Sequence, residues 1–287
     1  MPFYGRPDQF KSAVASVQAQ NDDDWRLTII DDVYPDPEPA RWAERLGDPR
    51  IRVLRNDVNL GVGGNFRHAV TLMTHGHAVI MGCDDLMRPG YVARVLELVE
   101  LFPAAAVIQP GVAVIDDEGN PTRPLADRVK DLYRPRGRGV RSMSGEALAA
   151  SLSAGNWAYF PSLVWSTAVL KKIGFRPGLE VALDLDLLLR IVATGASLVL
   201  DDEVVFDYRR HAGSVSAFTA IDGTRFREER DVLNGAAETF AALGWATAAR
   251  KARHHLSSRL NALSVLPRAI RTASDSDRRS LVTHILS

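Results

Sequence analysis

Two adjacent carboxylates, Asp84 and Asp85, close the apolar run Val79–Cys83, and the chain restarts at Leu86 through Met87-Arg88-Pro89-Gly90. Like charges so close repel one another and resist losing water, so a site that keeps both ionised supplies a cation or hydrogen-bond donors. Oxygen ligands at a strand end suit a hard divalent ion, which keeps several waters and bridges substrate phosphates. A solvated turn explains such a pair equally well. Asp31 and Asp32 end an earlier apolar run in the same way.

Three further stretches carry chemically useful side chains. "NLGVGGNF" (Asn59–Phe66) resembles a dinucleotide fingerprint but has Phe66 where the third glycine belongs. It still offers close backbone approach and a helix N-terminus suited to phosphate. In "ALDLDLLLR", Asp184 fits an N-cap and Asp186 pairs with Arg190 at i,i+4. A carboxylate at that helix end could take a proton from a hydroxyl. "YRRHAGSVS" (Tyr208–Ser216) gathers Arg209, Arg210 and His211, which could neutralise a pyrophosphate or help hold a metal. The aromatic stretch "GNWAYFP" suits either a sugar-binding wall or a core.

The elements that must position these groups alternate. The runs Arg26–Asp32, Ile51–Asp57 and His77–Asp85 are rich in Ile and Val and end in Asp or Asn. Helical patterns separate them at about Pro7–Gln20, Pro39–Leu46 and Gly63–Thr74. This order predicts an α/β fold with a doubly wound, mostly parallel sheet flanked by helices. In such sheets ligands sit beyond the carboxyl ends of the strands, where Asp31, Asp32, Asn56, Asp57, Asp84 and Asp85 would cluster. Asp116–Arg141, broken by Pro and Gly among charges, reads as a mobile loop bordering the site. A helix over Asp184–Thr194, closed by Gly195, precedes a strand pair, "SLVL" and "EVVFDYRRH". From Thr224 the pattern is helical.

The 287 residues suffice for a large core, and Lys+Arg and Asp+Glu are both 35, so no global field points to nucleic acid. The single cysteine, Cys83, rules out an intramolecular disulfide and fits a reducing compartment. No apolar stretch approaches the roughly 20 residues that span a bilayer, and no signal peptide is evident, so a cytoplasmic location is expected. Residues 244–287 carry eight Arg/Lys against two Asp, a charge near +6. That tail reads as a solvated helix face or as a peripheral contact with a membrane or anionic partner.

Taken in order, these stretches resemble the family-2 glycosyltransferases of the GT-A fold. "PFYGRPDQFKSAVASVQAQ" stands where that family has a Pro-x-Tyr turn and a helix ending in Gln. "LTIIDD" stands at its Val-Asp-Asp-Gly-Ser motif, and "NLGVGGNFRHA" at its Asn-x-Gly loop. "VIMGCDD" matches the acidic metal motif, "ALDLDLLLR" the stretch bearing the base, and "YRRHAGSVS" the late Tyr-Arg-x-His segment. The match covers about residues 1–216. It divides the chain into a GT-A domain at 1–217, with a nucleotide-binding half at about 1–115 and an acceptor half at 142–217. A helical C-terminal extension follows at 218–287.

The resemblance implies an inverting, metal-assisted transferase using a nucleotide-diphosphate sugar and a glycan, lipid-linked or small-molecule acceptor. Pro2, Tyr4, Asp31, Asp32, Asn59, Gly61, Asn65, Asp84 and Arg210 would bind the donor. Asp85 and His211 would hold Mg²⁺ or Mn²⁺, Asn156, Trp157 and Tyr159 would line the acceptor site, and Asp184 would be the general base. Gly82 and Leu183 stand where the family has acids, and Val33-Tyr34 replaces its Gly-Ser. These departures leave a catalytically silent binding module as an alternative, and a nucleotidyltransferase is another. The family's buried first strand is also missing before Pro2. Either at least five apolar residues precede Met1 in the native protein, or residues 1–5 extend along the sheet edge.

Overall fold

Short β-branched runs need cover on both faces, and the chain supplies it with helices between strands. The computed structural model describes residues 1–210, 223–272 and 274–286. Strands β1 (Pro2–Phe3), β2 (Leu27–Asp31) and β3 (Ile51–Arg55) form a parallel sheet, with Pro2 opposite Ile30 and Leu27 opposite Ile51. Helix α1 (Pro7–Gln18) starts with proline at its first turn, where a missing N–H costs nothing, and buries Phe10, Ala13, Val14 and Val17. Helices α2 (Glu38–Arg45) and α3 (Gly61–Leu72) complete this half.

A second sheet holds β4 (His77–Val79), β5 (Leu86–Met87), β6 (Val107–Ile115), β7 (Arg141–Met143), β8 (Val164–Ser166) and β9 (Leu198–Arg209). Its order is β4-β8-β6-β9-β5, with β7 also on β9. The α/β reading stands, but the sheet is in two parts, and in the second only β6 and β9 run parallel. Helices α4 (Tyr91–Leu101), α5 (Leu125–Tyr133), α6 (Gly145–Ala154), α7 (Thr167–Ile173) and α8 (Leu183–Ala193) lie along the same stretch. Two expectations change here. The segment 116–141 is not all loop, because it contains α5 and β7. The strand pair after Gly195 is one 12-residue strand, β9, which β6 supports over most of its length.

Beyond residue 222 come α9 (Thr224–Ala242), α10 (Ala246–His254), α11 (Leu256–Thr272) and α12 (Asp275–Leu286). Val232, Leu233 and Phe240 of α9 and Ala248 of α10 join the core formed by α6, α8 and Trp165. Helices α11 and α12 pack a smaller cluster, Ala262, Ala269 and Leu281, around Phe226. None of the described helices is long and apolar enough to cross a membrane.

Met1 to Phe3 lie extended on the edge of β2, a shorter stretch than the residues 1–5 expected there. The Met1 amine donates to the Thr28 carbonyl at 2.7 Å, and the Ile30 and Asp32 amides donate to the Met1 and Phe3 carbonyls at 2.9 and 3.0 Å. Beside them a cavity of about 470 Å³ separates β2 from β4, lined by Met1, Trp25, Leu27, Met73, His77 and Met81 among others. The Trp25 Nε1–H is buried and has no partner among the described residues.

Candidate active site

The polar ends of β2 and β3 form one network. Asp31, fully buried, accepts the Tyr34 amide at 2.7 Å and pairs with Arg55. Asp32 Oδ1 accepts Asn56 Nδ2 at 2.7 Å and the Leu60 amide at 2.8 Å, while its carbonyl accepts Asn59 Nδ2 at 2.9 Å. Asn65 Nδ2 donates to the Ile30 carbonyl at 3.3 Å. Asp32, Asn59 and Asn65 therefore tie the glycine loop to the sheet. Gly61 sits at φ +68°, a left-handed conformation that glycine adopts without strain.

The start of α3 differs from expectation. The Gly63 amide donates to Glu180 Oε2 at 3.2 Å, so a carboxylate from the acceptor half lies where a phosphate was expected. Tyr4 is exposed and stands edge-on to Tyr34 at 5.6 Å, an arrangement open to a flat ring. Val33 between Asp32 and Tyr34 has φ +61°, strained for a β-branched residue. Pro2, expected at the donor, is taken up by β1 and lines the interior cavity instead.

After β4 the chain turns both acids toward Gly82. A Cβ on Gly82 would stand 2.5 Å from Asp85 Oδ2 and 2.8 Å from Asp84 Oδ1. The glycine that replaces the family's first acid is thus what lets the two carboxylates converge. Burial raises the Asp85 pKa well above the ordinary carboxylate range, the Asp84 charge adds to it, and Arg209 opposes both. The Arg209 amide donates to Asp85 Oδ1 at 2.8 Å, its Nε to the Asp84 carbonyl at 2.7 Å, and its Nη1 to the Asp116 and Asp117 carbonyls at 2.9 Å. Arg209 therefore straps three chain segments together rather than facing a ligand. Burial pushes the Cys83 thiol up to about 12, so it is no nucleophile.

A divalent cation fits Asp84 and Asp85, since two converging carboxylate oxygens and a desolvated acid are what such an ion relieves. Among the described residues no group of three His, Cys, Asp or Glu stands close enough to hold one. His211 lies outside the described residues.

Asp184 is the second residue of α8, and Ala182 is the N-cap, which corrects the capping assignment. Asp184 Oδ2 accepts Asn156 Nδ2 at 3.0 Å, and Oδ1 accepts the Leu185 amide at 2.7 Å. Burial raises its pKa, opposed by those two bonds and by the charges of Lys130 and Arg225. Helix α8 has no side-chain cap, and Glu228 of α9 instead holds the turn that leads into it. Glu228 accepts the Glu180, Val181 and Ala182 amides at 3.1, 2.8 and 2.9 Å. The Asp186–Arg190 pair forms as expected, at 2.6 Å.

Helix α5 brings in groups that the sequence reading missed. Buried Asp127 takes Arg210 Nε and Nη2 at 2.6 and 2.8 Å and the Tyr159 hydroxyl at 3.1 Å. Lys130 Nζ donates to the Ala158 carbonyl at 2.9 Å and lies 4.2 Å from the Tyr159 ring centre. Burial pushes this ammonium down to about 8, with Arg210 acting in the same direction. Arg210 is thus held by Asp127, beside Tyr159. Trp157, expected at the acceptor, is fully buried in the core, and its indole donates to Ser151 Oγ at 3.0 Å.

The profile described as "Glycosyl transferase family 2" matches residues 1–163, and the chain belongs to that family. Among curated relatives, "Uncharacterized protein y4gI" of Sinorhizobium fredii is 26% identical over 71% of this chain and 21% of its own length. "Succinoglycan biosynthesis protein ExoO" of Rhizobium meliloti is 23% identical over 76% of this chain and 62% of its own. The chain therefore spans less than two thirds of either relative. Among solved structures, S. aureus TarS 1-349 with UDP-GlcNAc superposes at TM-score 0.72 and 13% identity, covering 99% of this chain and 77% of that one. The mannosyltransferase PcManGT of Pyrobaculum calidifontis, with GDP-Man and Mn²⁺, gives 0.62 and 15%, covering 98% and 77%. Both are GT-A glycosyltransferases, and that is the fold of this chain.

Proposed function

We propose that this transferase moves a sugar from a nucleotide-diphosphate donor to an acceptor hydroxyl with inversion at the anomeric carbon. The observation that carries the reading is Asp184, half-buried at the start of α8, its carboxyl held by Asn156 and the Leu185 amide. Desolvation makes it a better proton acceptor than a surface carboxylate, and its place lets it deprotonate a hydroxyl as that oxygen attacks. Asn156 borders the base, and with Tyr159 it would suit the acceptor. Tyr4 and Tyr34 would flank the nucleotide base, with Asp31 and Asp32 behind them, while Arg210 would face the diphosphate.

Asp84 and Asp85 would hold Mg²⁺ or Mn²⁺, with His211 as a further ligand. Such an ion neutralises charge building on the leaving nucleoside diphosphate. The UDP-GlcNAc and GDP-Man in the similar structures support this donor class. The acceptor would be a glycan, a lipid-linked sugar or a small molecule. The protein would work in the cytoplasm, its basic C-terminal helices being the segment to meet a membrane.

The test is a panel of nucleotide sugars assayed for transfer and for hydrolysis, with and without metal, alongside thermal shifts with nucleoside diphosphates. Metal-dependent release of a nucleoside diphosphate supports the reading. Diphosphate binding with no turnover on any donor supports the silent module, and conversion of a nucleotide sugar with added pyrophosphate into nucleoside triphosphate and sugar 1-phosphate supports the nucleotidyltransferase.

A further inference from the structure

The mechanism leaves a basic cavity and an apolar helix face unassigned. Tyr133 of α5, Arg250, Lys251 and His254 of α10, and Leu256 and Arg259 of α11 line a cavity of about 390 Å³, and among the described residues no acid lines it. Leu256 also begins a row along α11, Leu256, Leu260, Leu263 and Ile270, each about half exposed. Steps of three, four and seven residues place them on one side of the helix, while Ala262 and Ala269 face the small core. Next to Tyr133, Leu132 ends a second exposed row on α5 with Leu125 and Val129. Exposed leucines beside clustered cations are the composition of a helix that lies in a bilayer interface, where anionic lipids attract the basic side.

We propose that this face docks on an anionic phospholipid bilayer, lipid phosphate entering the basic cavity and the α11 leucines entering the acyl boundary. Charge favours a bilayer over a second copy of the chain. In a two-fold dimer a patch meets itself, which would set Arg250, Lys251 and Arg259 against their own copies. Docking would also hold α5, whose inner side carries Asp127 and Lys130, near the lipid surface. That would suit a lipid-linked acceptor, a consequence that alone rests on the proposed activity.

The test is co-sedimentation of the full chain with phosphatidylcholine vesicles, with and without phosphatidylglycerol. Binding to the anionic vesicles should be about tenfold stronger or more, and salt should weaken it. Arg250→Glu with Lys251→Glu should abolish that preference. Leu260→Gln with Leu263→Gln should weaken binding by about tenfold while circular dichroism stays unchanged. Equal binding to both vesicle types, or variants that bind like the parent, would overturn the proposal. So would a dimer in sedimentation velocity that the leucine variant dissociates while vesicle binding persists. Stabilisation by inorganic phosphate that the charge variant loses, with no vesicle binding, would overturn it in favour of a soluble anion.

Discussion

Asn156 donates its side-chain N–H to Asp184 Oδ2 at 3.0 Å although 28 residues separate the two in sequence. The bond favours the ionised form of a carboxyl that burial pushes the other way. Removing the proposed base with Asp184→Asn is expected to lower turnover by roughly 10²–10⁴-fold while donor affinity stays nearly unchanged. Asn156→Ala takes away a stabiliser of the charged form, so the Asp184 pKa rises further. A base must be deprotonated to act, so the acid limb of the rate profile should move to higher pH. Rate-against-pH curves of parent and variant check this, and a shift to lower pH would contradict it.

Gly82 makes a sharper test of the acidic pair than either acid alone. Gly82→Ala puts a methyl group 2.5 Å from Asp85 Oδ2, so the carboxylates must part. The expected outcome is a loss of metal-dependent turnover on the order of a hundredfold, since positioned charges lose effect with small displacements. Asp85→Asn should cost more, on the order of a thousandfold. Steady-state rates over a Mn²⁺ titration measure both. Gly82→Ala kinetics equal to the parent's would show that the convergence of Asp84 and Asp85 has no role.

Glu228 ties the C-terminal helices to the chemistry through three backbone amides of residues 180–182. Glu228→Ala leaves those amides unbonded in the turn before α8, a cost of about 1–3 kcal/mol. The melting temperature should fall by a few degrees. Because Asp184 follows in the next turn, kcat should drop more than donor KM rises. An unchanged kcat with a lowered Tm would confine Glu228 to stability.

In a chain that begins at Met1, the buried amine predicts a pH dependence of stability. Burial pushes its pKa down to about 5 from 8.0 in the open chain. Between those values the folded amine is neutral and the unfolded one protonated, so the unfolded state binds more protons. Stability therefore rises from pH 5 to pH 8, by up to a few kcal/mol, and falls on acidification. Adding five β-branched apolar residues ahead of Met1 turns the amine into an amide and supplies a strand to the 470 Å³ cavity. Calorimetry should show a Tm raised by several degrees and this pH dependence gone. A lowered or unchanged Tm would show that the cavity does not accept a strand.

Local pattern settled a good part of this molecule. The β-branched runs ending in Asp, the proline-started α1 and the Asp186–Arg190 pair are each decided by neighbours within a turn or a strand, and sequence order carried the family resemblance. Pairing across the fold decided the rest. Helix α5 was hidden because Pro124, Pro135 and Gly137 read as loop punctuation, and its partners Arg210 and Tyr159 lie 83 and 32 residues away. Trp157 and Tyr159 share one aromatic stretch and both are buried, yet Trp157 bonds Ser151 while Tyr159 reaches Asp127. Arg209 and Arg210 are adjacent, yet one straps Asp84 and Asp85 while the other pairs with Asp127. Alternation along β9 points successive side chains to opposite faces, and only the packing of the two sheets and their flanking helices determines what waits on each.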